Sequence, residues 1–467
     1  MLFSSIPFLY YFLPAVVLLY FIVPKVLKNF VLLLSSLVFY AWGEPKYVIL
    51  MATSIILGYV LGLLIERFHG KVWAKIFLAL SLITSLGFLG YFKYADFFIS
   101  NFNAATGLAV PLLKIALPVG ISFYTFQILS YTIDVYRGEV KAQRNLINLA
   151  AYIALFPQLI AGPIVRYSTI AEQLEHRTHS FDNVALGMRR FVIGLGKKIL
   201  IADVLAEFCS NFSASDDKSV LFCWAYAVAY SLQIYFDFSG YTDMAIGLGK
   251  VFGFDFLENF NYPFISGSIT EFWRRWHMSL GTWFRDYVYI PLGGNRVGKI
   301  RGLFNIFVVW MLTGFWHGAS WNFVFWGLYF ALFLLIEKLF LLKHLKKMKV
   351  LNHVYVIFLI LVSFVIFNST EGLSQLFGTL GGMFGAGDVP FISTETIYYL
   401  RSYGVVFLLA LVGSTPLIKM AVTKVQEKKV GEKVLNVIEP IVLACLLLVM
   451  TAYLVDGSFS PFLYFRF

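Results

Sequence analysis

The sequence predicts an all-helical protein that crosses its membrane many times. Composition, the length of the apolar runs and the placement of basic residues each predict it. Hydrophobic residues fill 59% of the 467 positions and charged residues 13%, with a mean hydropathy of +0.77. Soluble domains carry roughly 25% charged residues, so this chain lacks the polar exterior that a soluble fold of its length requires.

The first apolar run covers residues 7–23. No lysine or arginine precedes it and no small-residue cleavage pattern follows, so it reads as a retained membrane segment and not as a secretory signal. Further runs lie near 30–42, 46–65, 76–92, 111–135, 219–236, 303–340, 350–369, 397–418 and 434–455. A spanning helix takes roughly 20 residues and the 303–340 run has room for two, so about ten to twelve crossings are expected. No internal repeat or long polar linker divides the chain, so residues 1–467 read as one integral-membrane domain. The polar stretches 166–190 and 419–433 read as solvated connections, and the glycine-rich 372–387 as a flexible outer loop. Cys209, Cys223 and Cys445 form no CxxC pair and stand at no metal-ligand spacing from a histidine, so no metal site is expected.

Basic residues gather in alternate loops, 18 of them in the stretches 25–28, 67–75, 137–144, 338–349 and 419–433. The intervening loops and the tail hold Lys46, Lys93 and Arg466. Positive residues mark the cytoplasmic side, which puts both termini outside. The net charge of +11 is then a topology signal with an attraction to anionic membrane lipids, and calls for no nucleic acid.

The middle of the chain does not read as clean spanning helices. Residues 156–166 (FPQLIAGPIVR) set two prolines and a glycine in an apolar run, and 233–249 (QIYFDFSGYTDMAIGLG) hold Asp237 and Asp243. Non-helical backbone at membrane depth must be enclosed by protein or line a cavity. Re-entrant elements and interfacial loops are both compatible with 156–166.

Two histidines stand out because an ionisable group at membrane depth is costly enough to suggest function. His277 lies in EFWRRWHMSLGTWFRDYVYIPLGG (271–294) and His317 in TGFWHGASWN (313–322). Projected as one helix, 271–287 puts Trp273, Trp276, His277, Leu280, Trp283, Phe284 and Tyr287 on one arc. Glu271, Arg274, Arg275, Ser279, Thr282, Arg285 and Asp286 fall on the other. That is the pattern of a helix lying in the interface plane. His277 stands at the edge of the apolar arc; as a purely structural residue it would bond a backbone carbonyl. His317 shares a helical face with Trp310, Gly314, Trp321 and Val324, and Gly314 and Gly318 leave room for a substrate or a neighbouring backbone. Its structural alternative is a hydrogen bond bridging two membrane helices. An imidazole is the natural base for a hydroxyl at neutral pH. Trp316, Asp237, Asp243, Arg274, Arg275 and Asp286 are the candidate substrate-binding or supporting residues. The two aspartates lie six apart; they satisfy local backbone or orient an imidazole more readily than they act as paired acids. No GxSxG elbow, HExxH or phosphate-binding glycine loop is present.

Taken together, RRWHMSLGTWFRDYVYIPLGG and GFWHGASW resemble the membrane-bound O-acyltransferases, and within them the bacterial alginate O-acetyltransferase type. FPQLIAGPIVRY, QIYFDFSGYTDMAIGLG, NYPFISGSITEFWRRWH and the terminal PFLYFRF extend the resemblance over essentially the whole chain. It implies many membrane helices around a central tunnel in a bacterial inner membrane. The family's near-invariant catalytic histidine falls at His317, and a second motif histidine of less uniform role at His277. The resemblance further implies acetyl-CoA as donor substrate, with no bound cofactor. The acceptor is a polysaccharide such as alginate or peptidoglycan, reached directly or through an SGNH-type partner protein. A related branch passes D-alanine towards teichoic acid. Two other readings stay open at this point: an ion-coupled transporter using the intramembrane His and Asp, and a scaffold that only recruits an external transferase.

Overall fold

The computed structural model describes residues 1–369 and 372–457. Every regular element among them is a helix. The terminal PFLYFRF lies outside the described residues. Among the described residues, seven helices are long and apolar enough to cross a membrane: Lys25–Gly43, Pro45–Arg67, Val72–Thr106, Trp321–Leu345, Leu351–Asn368, Thr394–Gly413 and Lys429–Asp456. Phe8–Ile22 is a shorter apolar helix. The helices Val220–Val251 and Lys299–His317 fall outside that set, so the seven do not reach the ten to twelve crossings expected from run length. Large apolar side chains point outward along the spans, among them Ile22, Ile49, Ile83 and Leu448. In a bilayer that surface faces acyl chains, and packing rather than water exclusion joins the helices.

The chain forms two compact units, Met1–Phe191 with Thr242–Leu257, and Val192–Tyr241 with Glu258 onward. In the first, Ile121–Arg137 is buried along nearly its whole length. Gly58 and Gly62 of the Val48–Arg67 helix let it approach: a Cβ at Gly62 would stand 2.8 Å from the Tyr131 ring. Residues 156–165 are all buried, so this stretch is an enclosed irregular segment and not a solvated interfacial loop. Its backbone groups find side chains: Ser36 Oγ accepts from Phe156 N (3.0 Å) and Tyr152 Oη donates to Val165 O (2.9 Å).

The second unit packs an aromatic core from the 220–241 part of the helix Val220–Val251, Ile269–Arg275, Trp321–Ile336 and Leu351–Asn368. Three expectations fail here for local reasons. Residues 233–249 are unbroken helix, because each aspartate meets a cation and no backbone needs it. The 372–387 stretch carries the helix Leu373–Met383, and Gly382 serves close packing, since a Cβ there would stand 2.9 Å from Cys223 Sγ. Finally, 271–287 is not one helix. Ile269–Arg275 stops at extended Trp276, His277 is left-handed (φ 45°, ψ 52°), and Met278–Phe284 then begins. The break carries Ser279 off the predicted polar arc and into the interior.

Candidate active site

Three elements converge on the histidines. The first is the break itself. Ser268 caps Ile269–Arg275 by accepting from Glu271 N (3.0 Å), and the buried Glu337 carboxylate accepts from Ile269 N (2.7 Å) and Thr270 N (2.9 Å). Glu271 and Arg275 pair one turn apart at 2.9 Å. Past the helix, Arg275 O accepts from Asn261 N (2.9 Å) and Asn259 O from Met278 N (3.0 Å), a strand-like clasp across the break. It holds His277 in a backbone conformation that a non-glycine residue adopts rarely and at a cost.

His277 is almost wholly buried. Its Nδ1 lies 3.2 Å from Asn259 Oδ1, and the edge of Phe238 meets its ring at 4.7 Å between centroids. Burial pushes its pKa from 6.5 down to about 3, so the imidazole is neutral near pH 7.

The second element is a helical hairpin. Lys299–His317 ends at His317, residues 318–320 turn, and Trp321–Ile336 runs back. A Cβ at Gly314 would strike Phe323 O and stand 3.1 Å from Gly327 Cα; one at Gly318 would enter the Phe323 ring. Gly314 therefore brings the two helix backbones together and Gly318 makes room for the Phe323 ring, the packing alternative to substrate access. Trp321 lies beyond the turn, half exposed, and does not share a helical face with His317. Lys338 Nζ donates to Asn295 Oδ1 at 3.3 Å, so the basic ends of the hairpin meet at the end away from His317.

The third element is Leu351–Asn368, whose Phe367 ring stands 5.3 Å from His317. Trp326 stands 5.0 Å from the same imidazole, and Asn322 Nδ2 donates to Phe367 O at 2.7 Å. The Trp316 ring lies 5.1 Å from His317 and 5.9 Å from His277, so one indole spans the two histidines.

His277, Trp316 and His317 are thus brought together in one buried aromatic cluster. The other candidates are placed differently. Asp237 is one residue from Phe238 but is held by Lys198 at 2.7 Å, and Lys198 also meets Asp203 at 2.6 Å. Asp243 accepts from Arg190 Nε (2.9 Å) and Nη2 (2.8 Å) in the first unit. Arg274 is exposed, Arg275 belongs to the clasp, and Asp286 pairs with the adjacent Arg285 at 2.6 Å. Sequence reasoning missed Asn259, Phe238 and Lys198. The rule that flagged the histidines, an ionisable group in an apolar run, also applies to Lys198 in GLGKKILIA. Asn259 carries no such signal, because its importance comes from a contact 18 residues away.

Residues 137–371, half of the chain, match the model of the membrane-bound O-acyltransferase family. The chain belongs to that family. The match takes in the break, the hairpin and both histidines. The chain is 45% identical to a probable alginate O-acetylase of Azotobacter vinelandii over 394 residues, 83% of this chain and 79% of that one. It is 40% identical to a probable alginate O-acetylase of Pseudomonas putida over the full length of both. A peptidoglycan O-acetyltransferase of Helicobacter pylori is 37% identical, over 72% of this chain and 70% of that one. As a member of this family the protein is a multi-pass membrane acyltransferase, and its bacterial relatives point to the inner membrane.

Proposed function

We propose that this acyltransferase moves acetyl groups from cytoplasmic acetyl-CoA to hydroxyls of a polysaccharide outside the membrane. The acceptor is an alginate-like exopolysaccharide or peptidoglycan, reached directly or through an SGNH-type partner. One observation carries the reading: His277, Trp316 and His317 share a buried aromatic cluster at the turn of a hairpin whose basic ends lie at its opposite end. Similarity to polysaccharide O-acetyltransferases supports acetyl as the group moved.

In this mechanism His317 takes the proton of an acceptor hydroxyl while its oxygen attacks the thioester carbonyl carbon. The C–S bond breaks, and the sulfur leaves as the CoA thiol once protonated. In a two-step variant the imidazole itself attacks first and carries the acetyl to the hydroxyl. The aromatic rings around His317 keep water from the thioester. His277 acts as a neutral hydrogen-bonding group that orients a substrate. Arg275 braces the break through Glu271 and Asn261 O; Lys299, Arg301 and Lys338 at the hairpin's basic end attract CoA phosphates.

The test is His317→Ala in purified protein in nanodiscs, given labelled acetyl-CoA and an oligosaccharide acceptor. Loss of a general base costs about 10²–10⁴-fold, and the variant is expected to melt as the parent does. Near-normal acetylation by a well-folded His317→Ala protein overturns the assignment, and transfer of D-alanyl in place of acetyl overturns the donor.

A further inference from the structure

We propose that Asn259 is a positioning residue that sets the tautomer of His277, so that Nδ1 carries the proton and Nε2 is its proton-accepting nitrogen. The proposal rests on the acyl-transfer reading for its consequence, and on geometry for its substance. Asn259 is fully buried, and its Oδ1 accepts from Ser279 N at 3.0 Å and from Ser279 Oγ at 2.9 Å. A backbone N–H can only donate, so the atom facing it is the amide oxygen and not the amide nitrogen. That oxygen also stands 3.2 Å from Nδ1 of His277. An oxygen of this kind only accepts, so Nδ1 is the protonated position. A neutral imidazole has one N–H, which leaves the lone pair on Nε2.

The surroundings agree. Ser279 Oγ lies 3.4 Å from Nδ1 with its hydrogen committed to Asn259, so it presents a lone pair to the Nδ1–H. The clasp at Asn259 O and Asn261 N holds the left-handed backbone that turns His277 inward. Burial keeps the ring neutral, so the tautomer decides what it can do. With Nε2 as acceptor, His277 receives a donor group. It therefore orients a hydroxyl or amide N–H of a substrate, and does not polarise a carbonyl oxygen as an imidazolium would.

The test uses the full-length protein labelled with [15N]histidine, the His277 signals being identified by their loss in His277→Gln. At neutral pH the parent is expected to show Nδ1 protonated and Nε2 bare. Asn259→Leu removes the acceptor. It is expected to shift His277 towards the other tautomer and to lower kcat about 10–100-fold, the scale of a misplaced catalytic group, with a smaller change in KM. Asn259→Asp keeps an acceptor. It should retain the Nδ1–H tautomer and recover activity over Asn259→Leu. Its carboxylate raises the imidazole pKa, which moves the acid limb of kcat/KM to higher pH. A protonated Nε2 in the parent, or an unchanged tautomer in Asn259→Leu, overturns the proposal. Should Asn259→Leu not fold, an unmoved acid limb in Asn259→Asp overturns it instead. Absence of acetyl transfer by the parent counts against the proposed function alone, because the tautomer is read without turnover.

Discussion

Lys198 holds two carboxylates at once, Asp203 and Asp237, with only 2% of its surface exposed. Removing one member of a buried charge cluster leaves its partners without compensation, which typically costs 3–5 kcal/mol. Lys198→Met is therefore expected to lower thermal stability sharply in detergent. The double variant Lys198→Met with Asp237→Asn is expected to recover much of the loss, since Asp203 is partly exposed and finds water. A Lys198→Met protein that melts like the parent would show that the cluster contributes nothing. The cluster also explains why Asp237 reads ambiguously in sequence. An aspartate in an apolar run signals either chemistry or a buried cation, and only the contact with Lys198 separates the two. His277 and His317 were legible because an imidazole among tryptophans has few structural uses. Asn259 and Phe238 were not, because nothing in a lone Asn or Phe distinguishes a partner of the site from ordinary core.

At the scale of elements, the hairpin Lys299–His317 and Trp321–Ile336 depends on two glycines that face each other, Gly314 and Gly327. Small residues at such crossings let membrane helices make close backbone contact. Gly314→Ala forces the helices apart near His317; overpacking of this kind typically costs 1–3 kcal/mol. The expected result is a lower melting temperature together with reduced acetyl transfer. Gly404→Ala is the control, since beyond its own chain neighbours and helix backbone no atom lies within 4 Å of the added methyl, and it should melt close to the parent. Equal behaviour of the two variants would remove the close crossing from the account. Long apolar runs were legible as helices because few alternatives satisfy backbone groups in lipid. The break at Trp276–His277 was not legible: its 3.6-residue periodicity continues through a point that tertiary hydrogen bonds from Asn259 and Asn261 interrupt. Gly314 and Gly318 suggested space for a ligand or a backbone, and the neighbouring helix decided between them.

At the scale of the molecule, the proposed function joins a basic end of the hairpin to a transfer site at its turn. Lys299–His317 is 19 residues long, so about 28 Å at the rise of an α-helix separate its basic start from His317. By the positive-inside rule, the basic residues at 338–349 and 419–433 are expected on the cytoplasmic side. Under the proposed function, a cytoplasmic donor and an acceptor from outside meet at the His317 imidazole. The measurement that tests this most directly uses sealed inside-out vesicles bearing the parent or His317→Ala, with labelled acetyl-CoA outside and acceptor polysaccharide trapped within. Labelled acceptor is expected in the lumen of parent vesicles, with a background level for His317→Ala. Label confined to acceptor on the same side as acetyl-CoA, or equal labelling by the two proteins, would contradict it.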